Sequence, residues 1–183
     1  MLAIVVLVVL VGGTVLLYNS LVKDREKAEA AWADIDVQLK RRYDLIPNLV
    51  ETVKGYASHE QDTLEAVITA RNRAMSASTP GEAGPAEGLL SGALKSLFAL
   101  AESYPDLKAA PGFQDLQSQL SGLEEAIQNA RRYYNAVVRD YNTKVQQIPT
   151  NLVARTFGFR QREFFEAAEA ETAVPKVDFG GEG

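Results

Sequence analysis

KDREKAEAAWADIDVQLKRRYDLIPNLVETVKGY, residues 23–56, decides the fold. Its apolar side chains keep a beat of seven: Trp32, Leu39, Ile46 and Val53 form one row, and Ala28, Ile35, Leu49 and Tyr56 a second row offset by three. Such a seam belongs to a helix packed lengthwise on another helix. Only Arg42 stands where an apolar residue is due, so its guanidinium needs a buried partner, an exit to solvent or a contact with another protein. Pro47 interrupts the same pattern, because it lacks a backbone donor and its ring crowds the carbonyl of Tyr43. The expectation is a kink or a restart near residues 43–47, with Asp44 capping the restarted helix and Pro47 in its first turn. The RRYDLIPNLV stretch then reads as a bend with a polar exit. On that reading Arg42→Leu is tolerated inside an isolated bundle but alters contacts between copies, and Pro47→Ala straightens the helix while disturbing assembly.

A second stripe has the same period. Phe113, Leu120, Ile127, Tyr134, Tyr141 and Ile148 repeat at seven, with Leu116, Leu123, Ala130 and Val137 interleaved. Two seams of this kind are satisfied most simply by packing on each other within one bundle. Between them, residues 75–88 hold STPGEAGP and read as a turn-rich linker without helical period, and Leu89 to Ala101 as an apolar helix ending near Tyr104 and Pro105. After Pro149, Thr150 or Asn151 can cap a short helix, and Phe157, Phe159, Phe164 and Phe165 can close one end of the bundle.

Upstream, MLAIVVLVVLVGGTVLLY, residues 1–18, carries no ionisable side chain and suits a slightly short transmembrane span. A cleaved leader would want a cationic start and a small-residue cleavage site, neither of which is present, and Tyr18 sits where an interfacial ring belongs. Lys23, Arg25 and Lys27 follow the span, which by the positive-inside tendency predicts an outside N-terminus and a cytoplasmic body in the inner membrane. The fold class expected is therefore all-α: a transmembrane helix continuing into an antiparallel up-and-down bundle of three to four long helices. The anchor covers residues 1–18, the bundle 19–170 and a flexible tail 171–183.

Composition narrows the function. The net charge of −5 with mixed signs along the chain argues against nucleic-acid binding. Without cysteine there is no thiolate catalysis or thiolate metal site, and the single histidine, His59, cannot complete a zinc motif because Thr63 stands four residues on. Neither a Glu-x-x-His pair nor a phosphate loop is present, so no catalytic, cofactor or metal residue is assigned. The polar residues that stand out as candidate interaction sites are Arg41, Arg42, Asp44, Pro47 and Asn48 near the expected bend, with Arg131, Arg132, Asn135 and Asn142 on the second long helix. For most arginines on a helix a solvated face is the simpler explanation.

The chain resembles the LemA family of bacterial membrane-anchored proteins. The resemblance lies in Tyr18 to Glu60, YNSLVKDREKAEAAWADIDVQLKRRYDLIPNLVETVKGYASHE, in FQDLQSQL from Phe113, and in ARRYYNAVVRDYNTKVQQIPTNLVARTFGF from Ala130 to Phe159. It implies the same anchor and bundle, and it supplies no enzyme activity and no catalytic residues to carry over. Relatives associated with membrane remodelling or organelle formation, or found beside membrane metalloproteases, imply scaffold or adaptor roles. The function expected is a scaffold that self-assembles at the lipid bilayer as a homo-oligomer and presents a surface to proteins. The alternative is an adaptor or regulator of a membrane protease or another membrane enzyme.

Overall fold

The computed structural model describes residues 1–166. It contains α1 (Leu2–Lys54), α2 (Gln61–Ser76), α3 (Pro80–Ala101), α4 (Pro105–Ala109), α5 (Pro111–Gln146) and α6 (Thr150–Phe157). An extended segment follows α6 to residue 166, and no strand occurs among the described residues. The protein is all-α, with four long helices and two short ones. The tail expected at residues 171–183 lies outside the described residues.

At 53 residues, α1 is about 80 Å long. Every side chain of residues 2–12 is exposed. Among the described residues this is the one helix long and apolar enough to cross a membrane. From Leu21 onward the same helix enters the core, burying Ala28, Ile35, Leu39, Ile46, Leu49 and Val53. α5 runs antiparallel along it: Lys144 meets Ser20 and Asp24, the Tyr134 ring lies 5.5 Å from Trp32, and Glu124 reaches Arg42. Five positions of the second stripe, Phe113, Leu120, Ile127, Tyr134 and Val137, are buried in the main core. Each such aromatic or aliphatic side chain contributes about 1.5–3 kcal/mol by leaving water. Tyr56 and Ile148, the last members of the two rows, fall beyond Lys54 and Gln146 and are exposed.

The structure corrects the sequence reading in three places. First, α1 does not restart: Pro47 lies inside a continuous helix, and Asp44 is an exposed mid-helix residue rather than a cap. Second, the expected linker at 75–88 shrinks to residues 77–79, because α2 runs to Ser76 and α3 begins at Pro80. The cause is a capping arrangement: Thr79 Oγ1 accepts from the Glu82 N–H, Glu82 Oε2 accepts from the Ser78 N–H, and Pro80 occupies a first-turn position where a missing donor is harmless. The Ser78 hydrogen bonds also hold the Glu82 carboxyl below its ordinary range. Third, α6 has Pro149 at its N-cap and no side-chain cap, so neither Thr150 nor Asn151 performs that role. Its other end is sharper. Gly158 adopts a left-handed φ of 74°, which glycine does without steric cost, and the Phe159 N–H closes back on the Ala154 carbonyl.

Candidate functional site

Arg42, Tyr43 and Pro47 form a junction at which four helices meet. The Arg42 side chain is 3% exposed, and its partners come from two other helices: Nη1 lies 3.2 Å from Glu87 Oε2 of α3 and 2.9 Å from Glu124 Oε2 of α5, and Nη2 donates to Ser91 Oγ of α3 at 2.7 Å. Of the three outcomes open to Arg42, a buried partner is the one realised. Glu87 is itself only 5% exposed and also accepts a hydrogen bond from the Tyr43 hydroxyl. Burial raises the Glu87 carboxyl above its ordinary value, and the Tyr43 hydrogen bond and the Arg42 charge oppose that shift. Burial, then the bond to Glu87, pushes the Tyr43 phenol upward.

Pro47 contributes to the same junction by what it lacks. In an unbroken helix the N–H at position 47 would bond the carbonyl of Tyr43. With that donor missing, Arg71 Nε of α2 donates to the Tyr43 oxygen at 2.8 Å. The proline thus frees an acceptor that fastens α2 to α1. Beside the junction, Gly88 and Ser91 of α3 face Leu120 and Ser121 of α5 across a groove of about 610 Å³. Small side chains on both walls leave this space open, and Arg42 and Glu124 supply its charged end.

The second-helix candidates do something else. Asn142 donates to the Arg162 carbonyl at 2.9 Å and accepts from the Arg162 N–H at 2.8 Å. Asn135 treats Phe165 in the same way, at 3.0 and 2.9 Å. Each carboxamide pairs with one backbone unit of the extended segment 159–166, as a neighbouring strand would. The spacing explains why it works: seven helical residues span about 10.5 Å and three extended residues about 10 Å. Arg131 adds a bond from Nε to the Phe165 carbonyl and lies over the Phe165 ring, and the Tyr134 hydroxyl donates to the Glu163 carbonyl. Phe165 then packs edge-on against Trp32. At Glu166 the segment lies over α3, where a Cβ on Gly84 would come within 1.8 Å of the Glu166 carbonyl oxygen. Only glycine fits beneath that backbone.

The candidate residues therefore fall into three groups. Arg42 belongs to the buried junction together with Pro47, whose ring is exposed but whose missing donor frees the Tyr43 carbonyl for Arg71, and Arg131, Asn135 and Asn142 hold the C-terminal strap. Arg41, Asp44 and Asn48 are exposed on α1, and Arg132 is exposed on α5 beside Asn129. Sequence reasoning missed Tyr43, Arg71, Glu87, Ser91 and Glu124. A signal existed for Glu87, since Thr79-x-x-Glu82 is a capping box that places the following residues on a helix. Among the described residues, no cluster of three His, Cys, Asp or Glu side chains is placed to hold a metal ion.

The model of the LemA family matches residues 31–179. The chain is 27% identical over 157 residues to Protein LemA of Metamycoplasma hominis, covering 84% of this chain and 70% of that protein. It is 27% identical over 208 residues to Magnetosome protein MamQ of Magnetospirillum gryphiswaldense, covering 97% of this chain and 76% of that protein. Similarity to Magnetosome protein MamQ 2 of Paramagnetospirillum magneticum is 25% over 179 residues, 84% of this chain and 66% of the relative. None of these names denotes an enzyme.

Proposed function

The chain belongs to the LemA family, and from that premise we propose that it is a membrane-anchored helical scaffold that self-assembles at the bilayer and presents a surface to other proteins. What carries the reading is α1: one continuous helix runs from an exposed apolar stretch into the middle of a packed bundle. An element shared by anchor and core transmits position and orientation from the membrane to the body, which a flexible tether cannot do. Its outward stripe is available for contacts between copies, since Val37, Arg41, Asp44, Pro47 and Asn48 are all exposed along one side of the rod. Similarity to proteins named for the magnetosome supports a part in organising membranes. Exposed Lys23 just past the span supports a cytoplasmic body in the inner membrane.

The test is cross-linking of full-length protein in native membranes, together with particle size after extraction in mild detergent. A ladder of single-component species supports the scaffold. A stoichiometric foreign membrane protein would favour an adaptor role, and a monomer at all concentrations with no ladder would refute self-assembly.

A further inference from the structure

The floor of the bundle carries apolar side chains that nothing among the described residues covers. Ile148 is 83% exposed, Leu152 62% and Phe157 55%, all within the turn after α5 and the short helix α6. They do not lie at an arbitrary height. α6 buries Val153 and Ala154 in a small second core with Leu21, Tyr141 and Phe159, and Leu17, in the last turn of the apolar stretch, packs on that core too. The Phe157 ring sits 4.9 Å from the Tyr18 ring, and Phe159 lies 5.5 Å from it. Tyr18 closes the apolar stretch, and Asn19, Ser20 and Lys23 follow at once. The exposed side chains of α6 therefore stand level with the end of the membrane-crossing stretch. That is the depth at which aromatic rings settle between headgroups and acyl chains.

Charge points to the same occupant. From Lys144 to Arg160 the sequence KVQQIPTNLVARTFGFR contains three cations and no acidic residue, in a chain whose net charge is −5. Lys144 is engaged by Asp24, whereas Arg155 and Arg160 are exposed and have no ion-pair partner among the described residues. Exposed apolar groups interspersed with cations at an interface match a lipid surface whose phosphates are negative.

We propose that residues 148–160 form a foot that rests in the leaflet from which α1 emerges, with Ile148, Leu152 and Phe157 entering the headgroup–acyl boundary and Arg155 and Arg160 engaging lipid phosphate. The foot rests on α1 crossing the membrane, as in the function proposed above. It fixes more than depth: a second contact beside α1 stops the bundle from rocking about its anchor and sets one face of the body toward the bilayer.

Because the chain has no cysteine, single labels can be placed at will. Full-length Leu7→Cys, Ile68→Cys, Leu152→Cys and Phe157→Cys proteins, each carrying an environment-sensitive fluorophore, are reconstituted in phosphatidylcholine vesicles with and without phosphatidylglycerol, and quenching by aqueous iodide is measured. The label at residue 7 reports the span, and the label at 68, an exposed position of α2, reports the bundle surface. The foot predicts that labels at 152 and 157 lose most of the quenching seen at 68. It also predicts that phosphatidylglycerol deepens that loss and that Arg155→Ser with Arg160→Ser removes the deepening. Labels at 152 and 157 quenched as strongly as 68, with residue 7 protected, overturn the foot and leave the anchor intact. Quenching of residue 7 overturns the anchor itself. Protection that is indifferent to phosphatidylglycerol overturns the role given to the two arginines.

Discussion

Replacing Arg42 by leucine tests the junction at the centre of the bundle. Among the described residues Arg42 is the one cation paired with Glu87, which is 5% exposed and after the substitution keeps just the Tyr43 hydroxyl as a donor. Removing one member of a buried pair costs about 3–5 kcal/mol when the other stays charged. Glu87 has a way out, because it can take up a proton. From its ordinary value of 4.5, protonation at pH 7 spans 2.5 units and costs about 3.4 kcal/mol at ~1.36 kcal/mol per unit. At pH 5 the same step costs only about 0.7 kcal/mol. Loss of the Ser91 hydrogen bond adds about 1 kcal/mol at either pH. The expected destabilisation is therefore roughly 4–5 kcal/mol at pH 7, shrinking toward 1–2 kcal/mol at pH 5. Urea unfolding of the full-length protein in detergent, followed by the sole tryptophan, Trp32, whose ring packs against Tyr134 and Phe165, reads it directly. Adding Glu87→Gln, which cannot ionise yet still accepts from Tyr43, should restore about 2 kcal/mol at pH 7. A cost that is equal at both pH values, or a double variant no better than the single, would refute a buried ion pair here. The tolerance expected of Arg42→Leu from sequence is thereby withdrawn.

Three further outcomes follow from the same geometry. Glu87 has a raised folded-state pKa, so its contribution to stability is fully present below 4.5 and is lost as pH rises through the folded value; the Glu87→Gln protein should show a flatter stability profile than the wild type across that window in parallel unfolding titrations. Asn142→Ala leaves the Arg162 N–H and carbonyl without their side-chain partner, and should cost about 2 kcal/mol and hasten tryptic cleavage at Arg160 and Arg162, with unchanged cleavage counting against the strap. Arg71→Ala should cost about 1 kcal/mol in the wild type and close to nothing in a Pro47→Ala background, because alanine returns an N–H to the Tyr43 carbonyl that Arg71 now serves; additive losses in that double-mutant cycle would contradict the exchange of donors.

The long elements were legible because their signal is repeated many times over. Trp32 to Val53 and Phe113 to Tyr141 each present several coincident seven-residue repeats, and any other register would bury charge. The exceptions needed partners far away in sequence. Whether Arg42 is paired or free depends on Glu87, 45 residues on, and on a helix that two prolines and three glycines between Pro80 and Gly88 disguise as a loop. Pro47 misled for a related reason. The missing donor was visible, but the substitute donor, Arg71, lies on another helix and carries no local mark. Asn135 and Asn142 stood out as polar residues on a packed helix. Their task was hidden because the strap they hold has no period of its own.

The most direct test of the account is the distance between spin labels at Val11→Cys and Asp44→Cys, one in the apolar stretch and one beside the junction, in full-length protein diluted with unlabelled copies in lipid nanodiscs. Both residues lie in α1, 33 positions apart, which corresponds to about 50 Å along an unbroken helix. A narrow distribution near that value is the predicted result, since membrane stretch and bundle are then one rigid rod. A broad distribution, or one centred well below it, would mean that the helix bends or melts between the two, and the account of a stiff membrane-anchored scaffold would fail.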